Sequence, residues 1–553
     1  MSEATTPRAA SPADFEQALA DTRRAQSDAA DPSASAWVRA NAGTGKTYVL
    51  TRRVMRLLLA GTAPDRILCL TYTKAAAAEM STRVFRELGF WVTSAPSDLE
   101  TKLTDLLGRA PSPQEQARAR TLFAAAIETP GGLKVQTIHS FCERLLQRFP
   151  LEAGVPPGFA ILDDVSAREL LQEAIDDTLT RATRAPGSPL GQALRTTVAH
   201  AVDDTFDKVL GEALARRDWL EHVMRRTPGE DDNEATHDPV AAIAGTYRAA
   251  FSLLPGDTVE ACDDISANLL DASFCRAAAA ILADGQATDI KLADALLAAA
   301  SATNDTDRAA GFARGFLNKD GGAFADRFIT KAIRHRDAGL AERLTLARDL
   351  LATAVRKRRA LDVIDATLAL IRLADSVLTS YSALKARRAA LDFDDLIRRA
   401  ANLLGTSQAA QWVLYKLDGG LDHILVDESQ DTSPEQWRIV SALAAEFFAG
   451  AGNHETSPTV FAVGDEKQSI YSFQGARPEA FESMGAKFKA AADAAGAIWR
   501  EIPLHLSFRT VAPILEAVDD VFADVRRAPG LAHRDNAVEH AVSRIGDAGL
   551  VEV

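Results

Sequence analysis

The most constraining feature of this 553-residue chain is a strand, a glycine-rich loop and a helix in immediate succession. Residues 36–40 read as a buried strand, the loop is Asn41-Ala-Gly-Thr-Gly-Lys-Thr47, and residues 48–59 carry a helical pattern. The pattern A-x-x-x-x-G-K-T, with Ala40 at its first position, is typical of a loop that binds nucleotide phosphates. The alternative is a chance glycine-rich turn before a helix. The motif predicts an α/β fold with a parallel sheet and crossover helices.

Each residue type in this loop suits phosphate chemistry. Gly43 and Gly45 allow backbone N–H groups to turn inward around phosphate oxygens. The N-terminus of the following helix adds partial positive charge, and Lys46 can reach the β- and γ-phosphates. Thr47 offers its hydroxyl to Mg²⁺. The sequence therefore predicts that the phosphates of a nucleotide are held by Ala40, Asn41, Ala42, Gly43, Thr44, Gly45, Lys46 and Thr47, a nucleotide that the resemblance described below identifies as ATP.

A second buried strand, at residues 423–426, ends in the carboxylates Asp427 and Glu428. Asp427 is expected to hold Mg²⁺ together with Thr47, and Glu428 is expected to polarise the attacking water as a general base. The alternative is a pair of solvated acids that cap the helix beginning near Ser433. The phosphate loop upstream favours the Mg²⁺ interpretation.

The separation of these two motifs predicts a large insertion. Lys46 and Asp427 lie 381 positions apart, far more than two neighbouring strands of one α/β layer require. Strand patterns cluster at the two ends of the chain, whereas the middle reads as almost entirely helical. The further strand patterns lie at 67–73, 134–138, 459–463 and 501–506, and helical patterns of the middle lie at 167–183, 291–302 and 340–391.

Five segments are predicted from this pattern. They are a disordered leader at 1–14, the first part of an α/β lobe at 15–165 with a short helical insertion at about 87–129, an inserted helical subdomain at 166–390, the second part of the lobe at 391–511, and a final segment at 512–553.

Composition excludes several classes of protein. The chain has 62 Lys and Arg against 76 Asp and Glu, a net charge of −14, which rules out a small basic module that binds nucleic acid by bulk charge. None of the four cysteines forms a C-x-x-C pair, which argues against a zinc ribbon, a redox motif or a disulfide framework. No apolar run approaches the roughly 18 residues of a membrane helix, so we expect a cytoplasmic protein without a membrane partner.

Further motifs follow the phosphate loop in a fixed order. They are Thr71-Tyr-Thr-Lys-Ala-Ala-Ala-Ala-Glu-Met80-Ser-Thr-Arg83, Thr137-Ile-His-Ser-Phe-Cys142, Asp427-Glu-Ser-Gln-Asp-Thr432, Val463-Gly-Asp-Glu-Lys-Gln-Ser-Ile-Tyr-Ser-Phe-Gln-Gly-Ala476 and Leu506-Ser-Phe-Arg509-Thr. Together they resemble superfamily 1 helicases of the UvrD/Rep type over roughly residues 26–515. Residues 37–46, 391–396 and 464–469 further resemble the AddA branch of that family, with RecB-like proteins as near neighbours. The resemblance implies a RecA-like P-loop parallel sheet with a large inserted all-helical subdomain, in a chain that is mostly helical. It also implies that residues 15–165 and 391–511 form an ATP-binding motor lobe and that residues 512–553 are the start of a truncated second lobe.

The resemblance also implies roles for single residues around the nucleotide. Gln26 would read the adenine edge, because an amide can donate and accept at once. Gln468 would link the state of the γ-phosphate to the DNA groove, and Arg509 would neutralise charge that develops on that phosphate. Glu428, Gln468 and Arg509 are thus the expected catalytic residues. Without the resemblance, Gln26, Gln468 and Arg509 read as a surface glutamine, a polar turn residue and a surface ion-pair partner.

Two aromatic residues stand where the family stacks DNA bases. Tyr72 and Phe473 would each hold a base without sequence preference. Thr71, Thr73 and His139 would contact the DNA backbone or the bases. Core packing is the alternative for Phe473, and a buried, hydrogen-bonded histidine is the alternative for His139.

The implied activity is that of an ATP- and Mg²⁺-dependent 3′-to-5′ DNA helicase or translocase in double-strand break repair and recombination. The implied partners are single-stranded or duplex-end DNA and an AddB-like subunit. Gln474 and Ser507 depart from the family pattern, which usually has Arg and Asn there. About 44 residues follow Arg509, without the later motor or nuclease motifs, so an N-terminal portion is expected. One alternative is an ATP- and DNA-binding module that cannot translocate. Another is a nuclease, but no residue pattern in the sequence indicates a nuclease site.

Overall fold

The computed structural model describes residues 12–224, 239–405, 409–418, 421–448, 457–471, 475–527 and 540–544. Its contacts divide the chain into two units. An α/β unit contains the residues up to Leu162 and those from Ala389 onward, and a helical unit spans Asp163–Arg388. The sequence predicts the insertion at 166–390, within a few residues of the bounds of the helical unit.

A parallel sheet organises the α/β unit. The described strands are β1 Ser35–Ala40, β2 Ile67–Thr71, β3 Lys134–Thr137, β4 Ala160–Ile161, β5 Ala390–Leu391, β6 His423–Val426, β7 Thr459–Gly464, β8 Trp499–Leu504, β9 Leu506–Val511 and β10 Ala541–Arg544. Six of them form one sheet in the order β3-β2-β6-β7-β1-β8, and every pairing in it is parallel. This confirms the predicted parallel sheet and places the ends of β1, β6 and β7 side by side.

Helices make up most of the described chain, as predicted. In the α/β unit before the helical unit they are α1 Pro12–Ala29, α2 Lys46–Ala60, α3 Lys74–Thr93, α4 Pro96–Leu107, α5 Pro113–Glu128 and α6 Ile138–Arg148. In the helical unit they are α7 Asp164–Arg184, α8 Pro189–His200, α9 Asp204–Ala215, α10 Arg217–Met224, α11 Pro239–Ala250, α12 Val259–Ala267, α13 Ala272–Leu282, α14 Ala287–Ser301, α15 Asp305–Phe316, α16 Lys331–Arg336 and α17 Ala338–Arg387. After it they are α18 Phe393–Gly405, α19 Ala410–Asp418, α20 Pro434–Ala444, α21 Pro478–Ala495 and α22 Ala512–Phe522.

Hydrophobic clusters cover both faces of the sheet. Along β1, Trp37 belongs to the cluster on one face, whereas Val38 belongs to the cluster on the other. Successive strand residues point to opposite faces, so a strand buried on both sides is mostly apolar along its length. Trp37 stacks on Phe481 of α21 with ring centroids 4.7 Å apart. A Cβ on Gly485 would lie 2.9 Å from Trp37 Nε1, so glycine is required where α21 crosses the ring.

Two predicted strands are too long at their C-terminal ends. Residues 67–73 and 134–138 read as strands, but the observed strands end at Thr71 and Thr137. Thr73 and Thr137 each accept the backbone N–H of the residue three positions on, and so serve as the N-caps of α3 and α6. Apolar runs extend across these threonines, but capping ends the strand.

The last predicted strand and the last predicted helix of the middle also end elsewhere. Residues 501–506 hold parts of two strands, β8 and β9, and β9 pairs with β10 in a separate two-stranded parallel sheet. The helical pattern at 340–391 ends at Arg387, since Ala390–Leu391 pairs with β4. Contacts group the described residues after 512 with the α/β unit, where the sequence predicts the start of a second lobe.

The first helix overlaps the last three residues of the predicted leader. Helix α1 begins at Pro12, within the predicted leader 1–14, and residues 1–11 lie outside the described residues. The four cysteines are buried free thiols, in agreement with the absence of C-x-x-C pairs. No single helix in the described ranges is long and apolar enough to cross a membrane, although α12 and α13 pass that test together as a bent pair by length and composition.

Candidate functional site

The loop between β1 and α2 has the backbone that a phosphate cradle needs. Gly43 and Gly45 adopt φ of 76° and 90°, in the left-handed region that favours glycine. A Cβ on Gly43 would lie 2.7 Å from both Arg509 Cβ and Ser507 Oγ, so a larger residue would displace its neighbours. Helix α2 begins at Lys46, directly after Gly45. The loop therefore has the glycine conformations expected of a phosphate cradle, packs closely against residues 507–509, and leads directly into a helix N-terminus.

Hydrogen bonds hold the loop against the strands that follow. Asn41 donates its N–H to Leu504 O at 3.1 Å, and the Thr44 hydroxyl donates to Asn41 O at 2.8 Å. Phe508 donates its N–H to Gly43 O at 2.8 Å, which places β9 along the loop. Arg509, the next residue, is exposed beside the loop. Of the other predicted contacts, Ala40 is buried at the end of β1 and Ala42 is exposed.

Two carboxylates lie at the end of β6. Asp427 is buried, and its burial, reinforced by the charge of Glu428, raises its pKa to about 6. Glu428 adopts a left-handed φ of 47°, which is uncommon for a residue with a side chain, and donates its N–H to Asp427 Oδ1 at 3.0 Å. A desolvated carboxylate next to a second one is a site whose charge a cation stabilises.

The donor set fits Mg²⁺ bound with a nucleotide. The Thr47 hydroxyl and the Asp427 carboxylate are hard oxygen ligands, and Mg²⁺ typically takes one or two such ligands together with substrate phosphates. Within the described ranges, no group of three or more His, Cys, Asp or Glu residues could hold a metal by itself. These two oxygens would form a partial shell of the kind that phosphate oxygens and water complete.

Three of the predicted residues meet at the start of α2. Lys46 Nζ donates to Glu428 Oε2 at 2.8 Å and to Gln468 Oε1 at 3.4 Å. Gln468 lies on a short 3₁₀ turn after β7 and donates from Nε2 to Asp465. On the same turn, Lys467 Nζ donates to Asn41 Oδ1 at 2.8 Å. The turn is therefore fastened to both ends of the phosphate loop, although the three segments are far apart in sequence.

A cavity of about 910 Å³ opens beside the loop. Gln26 from α1 lines it, is 7% exposed, and donates from Nε2 to Thr44 O at 3.2 Å, so the interpretation as a surface glutamine is wrong. Tyr48 and Phe508 supply aromatic wall, a composition suited to a planar base with few polar contacts. Sequence reasoning missed both aromatics. Their signal was position, since Tyr48 directly follows Thr47 of the loop and Phe508 directly precedes Arg509.

The wall of this cavity is anchored. Arg52, one helical turn after Tyr48, donates to the Tyr48 hydroxyl at 2.7 Å and pairs with Asp105 of α4. Its guanidinium also lies 5.2 Å from the centre of the Tyr48 ring. The short helical segment containing α4 therefore supports the cavity, a role that its sequence pattern does not reveal.

A pair of tyrosines lies at the other predicted interface. The rings of Tyr72 and Tyr471 have centroids 4.3 Å apart. Burial and the nearby Asp431 raise the pKa of Tyr72 to about 12, so its hydroxyl stays protonated and neutral. Sequence reasoning identified Tyr72 but missed Tyr471, whose position after Ile470 in the fourth motif is the available signal. Phe473, the second predicted stacking residue, lies outside the described residues.

The remaining predicted DNA contacts are distributed around α3 and α6. Thr71 is buried and its hydroxyl donates to Thr73 O at 3.1 Å, whereas Thr73 is exposed at the start of α3. His139 is half-buried at the start of α6 and makes an edge-to-face contact with Phe393, with ring centroids 5.6 Å apart. Burial lowers the pKa of His139, which favours the neutral ring.

The buried carboxylate of Asp427 yields a prediction about stability. Its folded pKa of about 6 exceeds the ordinary value of 3.8. Ionising it therefore costs folding free energy that is fully present above pH 6 and absent well below pH 4, where both states are protonated. Without Mg²⁺ at pH 7.5, Asp427→Asn should raise the free energy of unfolding by up to about 3 kcal/mol. Thermal unfolding in EDTA, followed from pH 7.5 to pH 4, measures this.

The matched control for that measurement is Asp422→Asn. Asp422 is equally buried at the start of β6 but pairs with Arg66 at 3.3 Å, so its replacement should not stabilise the protein. Two results would contradict the claim that the buried Asp427 charge destabilises the protein when no cation is bound. One is a gain in the free energy of unfolding for Asp427→Asn that stayed the same at pH 4, and the other is no gain at pH 7.5.

Comparison with known proteins agrees with this geometry. Residues 22–489 match the family model of the UvrD/REP helicase N-terminal domain. A protein from Desulforudis audaxviator, named as the A subunit of an ATP-dependent helicase/nuclease, is 29% identical over 533 residues, which cover 91% of this chain and 40% of that protein. Proteins of the same name from Lactiplantibacillus plantarum and Bacillus velezensis are each 26% identical, over 89% and 88% of this chain and 38% of each relative.

The chain spans about two-fifths of the length of these curated relatives. The family match covers the phosphate loop, the β6 acids and the turn that carries Gln468, and these are the segments that meet in the structure. The chain belongs to the UvrD/REP helicase family, of which it carries the N-terminal domain.

Proposed function

We propose that this chain binds and hydrolyses Mg²⁺-ATP and couples hydrolysis to 3′-to-5′ movement along single-stranded DNA. The observation that carries the proposal is the meeting of Lys46, Glu428 and Gln468 at the start of α2. A phosphate-binding cation, a general base and a polar sensor must lie together for phosphoryl transfer to water. Three distant segments of the chain supply them at one point.

The roles follow from the chemistry of each group. Thr47 and Asp427 would hold Mg²⁺, which supplies charge neutralisation at the β- and γ-phosphates when bound. Lys46 would bind the same phosphates, and Glu428 would orient water and accept its proton. Arg509, beside Gly43, would neutralise charge on the γ-phosphate as it develops. The nucleotide base would occupy the cavity between Tyr48 and Phe508, with Gln26 at its edge.

The finer architecture belongs to the same proposal. The strand order with β1 and β6 flanking β7, and the loop at the end of β1, support a RecA-like P-loop lobe. The helical unit would be an insertion within that lobe, since the chain leaves the α/β unit at Leu162 and returns at Ala389. Ligands of open α/β sheets bind at the carboxyl ends of the strands, where these residues lie.

The wider role is proposed by extension from the relatives. They are named as subunits of a helicase/nuclease, which supports work on DNA ends in double-strand break repair alongside an AddB-like subunit. The Tyr72 and Tyr471 pair would stack bases of one DNA strand. An acidic chain can hold DNA through such neutral contacts.

Removing the Tyr72 ring should weaken binding of single-stranded DNA. Stacking contributes about 1–3 kcal/mol per base, so Tyr72→Ala should raise the Kd by about 5- to 150-fold. Tyr471→Ala should have a similar effect, and the double variant should lose less than the sum because the two rings contact each other. Fluorescence anisotropy with a labelled oligothymidine measures the Kd. Tyr415→Ala, at an exposed tyrosine of α19, is the control and should leave the Kd unchanged.

Directional movement is tested with single-stranded DNA that carries a fluorophore at one end. The chain with Mg²⁺-ATP should produce a length-dependent signal when the dye is at the 5′ end and only a length-independent decay when it is at the 3′ end. The reverse pattern would overturn the proposed polarity. DNA-stimulated ATP turnover without any length-dependent signal would instead favour a module that binds ATP and DNA without translocating.

A further inference from the structure

We propose that Gln430 is a positioning residue that fixes the carboxylate of Glu428 for its work as general base and ties it to the turn bearing Gln468. The inference rests on the proposed ATP hydrolysis and adds a residue to that site. The described hydrogen bonds of the Gln430 side chain go to Glu428, Asp431 and the Asp465 N–H, so we expect its effect on the reaction to pass through Glu428 and Asp465.

The two ends of the Gln430 amide have different, fixed partners. Nε2 donates to Glu428 Oε2 at 2.8 Å and, over a longer 3.3 Å, to Asp431 Oδ2, whereas Oε1 accepts the backbone N–H of Asp465 at 2.9 Å. A backbone N–H can only donate, so the amide oxygen must face Asp465 and the NH₂ group must face Glu428. The side chain is 1% exposed. Because a buried amide that loses a partner is costly, this orientation is strongly held.

The end of β7 is shaped to admit this amide. A Cβ on Gly464 would lie 2.7 Å from Gln430 Oε1 and 3.2 Å from Gln430 N. Any larger residue would push the amide away from the Asp465 N–H. Glycine at this position therefore serves the close approach of β7 to the segment after β6, and not a left-handed turn.

The hydrogen bonds of Gln430 close a ring of five residues. Lys46 and Gln430 both donate to Glu428 Oε2, Asp465 donates to Gln430, Gln468 donates to Asp465, and Lys46 donates to Gln468. The ring joins the phosphate loop, the end of β6 and the turn after β7. A change in the contacts of Lys46 can therefore reach the Glu428 carboxylate by two routes. One is the direct hydrogen bond, and the other passes through Gln468, Asp465 and Gln430.

The ring also selects which oxygen of the base can act. Among the described residues, both hydrogen bonds of the Glu428 carboxylate are made by Oε2. The other oxygen, Oε1, is thus the one presented to water. Without the Gln430 donor, the carboxylate could rotate about its last torsion, which is broad for glutamate.

A swap of the two side chains tests the contact without relying on activity. Gln430→Glu places two carboxylates 2.8 Å apart and should lower the midpoint of thermal unfolding at pH 7.5 by at least about 3 °C. The double variant Glu428→Gln with Gln430→Glu restores a donor and an acceptor in reversed order and should recover most of that loss. If Gln430→Glu had the same effect in the parent chain and in the Glu428→Gln variant, the proposal would be overturned.

Activity separates positioning from simple structural damage. Gln430→Glu should lower ATP turnover by about 10- to 100-fold, part of the 10²–10⁴ that a general base contributes, while the Kd for nucleotide changes less than about threefold. The swap should recover stability but not turnover, because the base has moved. As the pH falls, protonation of the introduced carboxylate restores a donor, so the ratio of parent to variant turnover should shrink.

Gln436→Glu is the matched control. Gln436 is also buried, but it caps α20 with Ser433, where glutamate is the usual partner. ATP turnover by the Gln436→Glu variant should stay within about twofold of that of the parent chain. Turnover of Gln430→Glu within the same twofold would overturn the proposal. If the parent chain bound ATP but did not hydrolyse it, the proposed function would fail while the thermal cycle would still decide the contact.

Discussion

Lys46→Ala is expected to lower ATP turnover by at least about 10³-fold and to weaken nucleotide binding by about 10- to 100-fold. The ammonium group of Lys46 lies at the start of α2, where it contacts Glu428 and Gln468. Its charge is expected to act on the ground state and more strongly on the developing charge of the transition state, so turnover should fall further than affinity.

The two effects are measured separately on the purified chain. Turnover is followed by phosphate release with single-stranded DNA present, and affinity by titration with a fluorescent ATP analogue. Lys489→Ala removes a lysine that pairs with Glu501 on the surface and should change neither quantity. Turnover of Lys46→Ala within tenfold of the parent would contradict the assignment of the loop as the catalytic phosphate site.

Glu428→Gln should abolish turnover and spare binding. The substitution keeps the shape of the side chain, and its amide oxygen can still accept from Lys46, but it cannot take a proton from water. Turnover should fall by about 10²–10⁴-fold. Affinity for ATP should stay equal or rise, because one negative charge near the γ-phosphate is removed. The same phosphate-release and titration assays measure the two effects.

Glu435→Gln is the control for this second variant. Glu435 lies in the first turn of α20 and pairs with Arg438 on the surface. Its replacement should leave both turnover and affinity unchanged. If Glu428→Gln lost affinity in parallel with turnover, Glu428 would be a structural partner of Lys46 and the general base would have to lie elsewhere.

Local patterns made much of the site predictable. The glycines before Lys46 indicate a loop with left-handed backbone conformations. A buried strand followed by Asp427 and Glu428 indicates that these carboxylates lie at the carboxyl end of a strand. Their separation along the chain predicted an intervening helical stretch. These inferences needed only short segments and the rule that parallel strands end at a common edge. The structure brings Lys46 and Glu428 to 2.8 Å.

Contacts between distant segments could not be predicted in the same way. The hydrogen bond that the Asp465 N–H donates to Gln430 Oε1 depends on β6 and β7 being neighbours, and on the space left by Gly464. Tyr471 shares its motif with Phe473, and Phe508 is the one aromatic residue of the short motif at 506–510. Their positions in these motifs single them out, but the sequence does not show which side chains they face. Only the order of strands places Tyr471 against Tyr72.

The predicted C-terminal ends of two strands are wrong for a local reason. Thr73 and Thr137 continue an apolar run, yet the hydroxyl of each caps a helix, so β2 ends two residues before Thr73 and β3 ends at Thr137. β-branched residues are typical of strands, so the pattern extends one or two residues beyond the true end. The error matters for function, since the boundary decides whether Thr73 lies within the sheet or at the exposed start of α3.

The most direct test of the central claim is the rate of Mg²⁺-dependent ATP turnover by this chain with and without single-stranded DNA. We predict that ATP turnover is lost in EDTA and in the Glu428→Gln variant. Saturating oligothymidine should raise turnover at least about tenfold, a typical size for the coupling between two binding sites. Turnover that ignored DNA, or that persisted in Glu428→Gln, would contradict the claim that Lys46, Asp427, Glu428 and Gln468 form the hydrolytic site of a DNA-dependent motor.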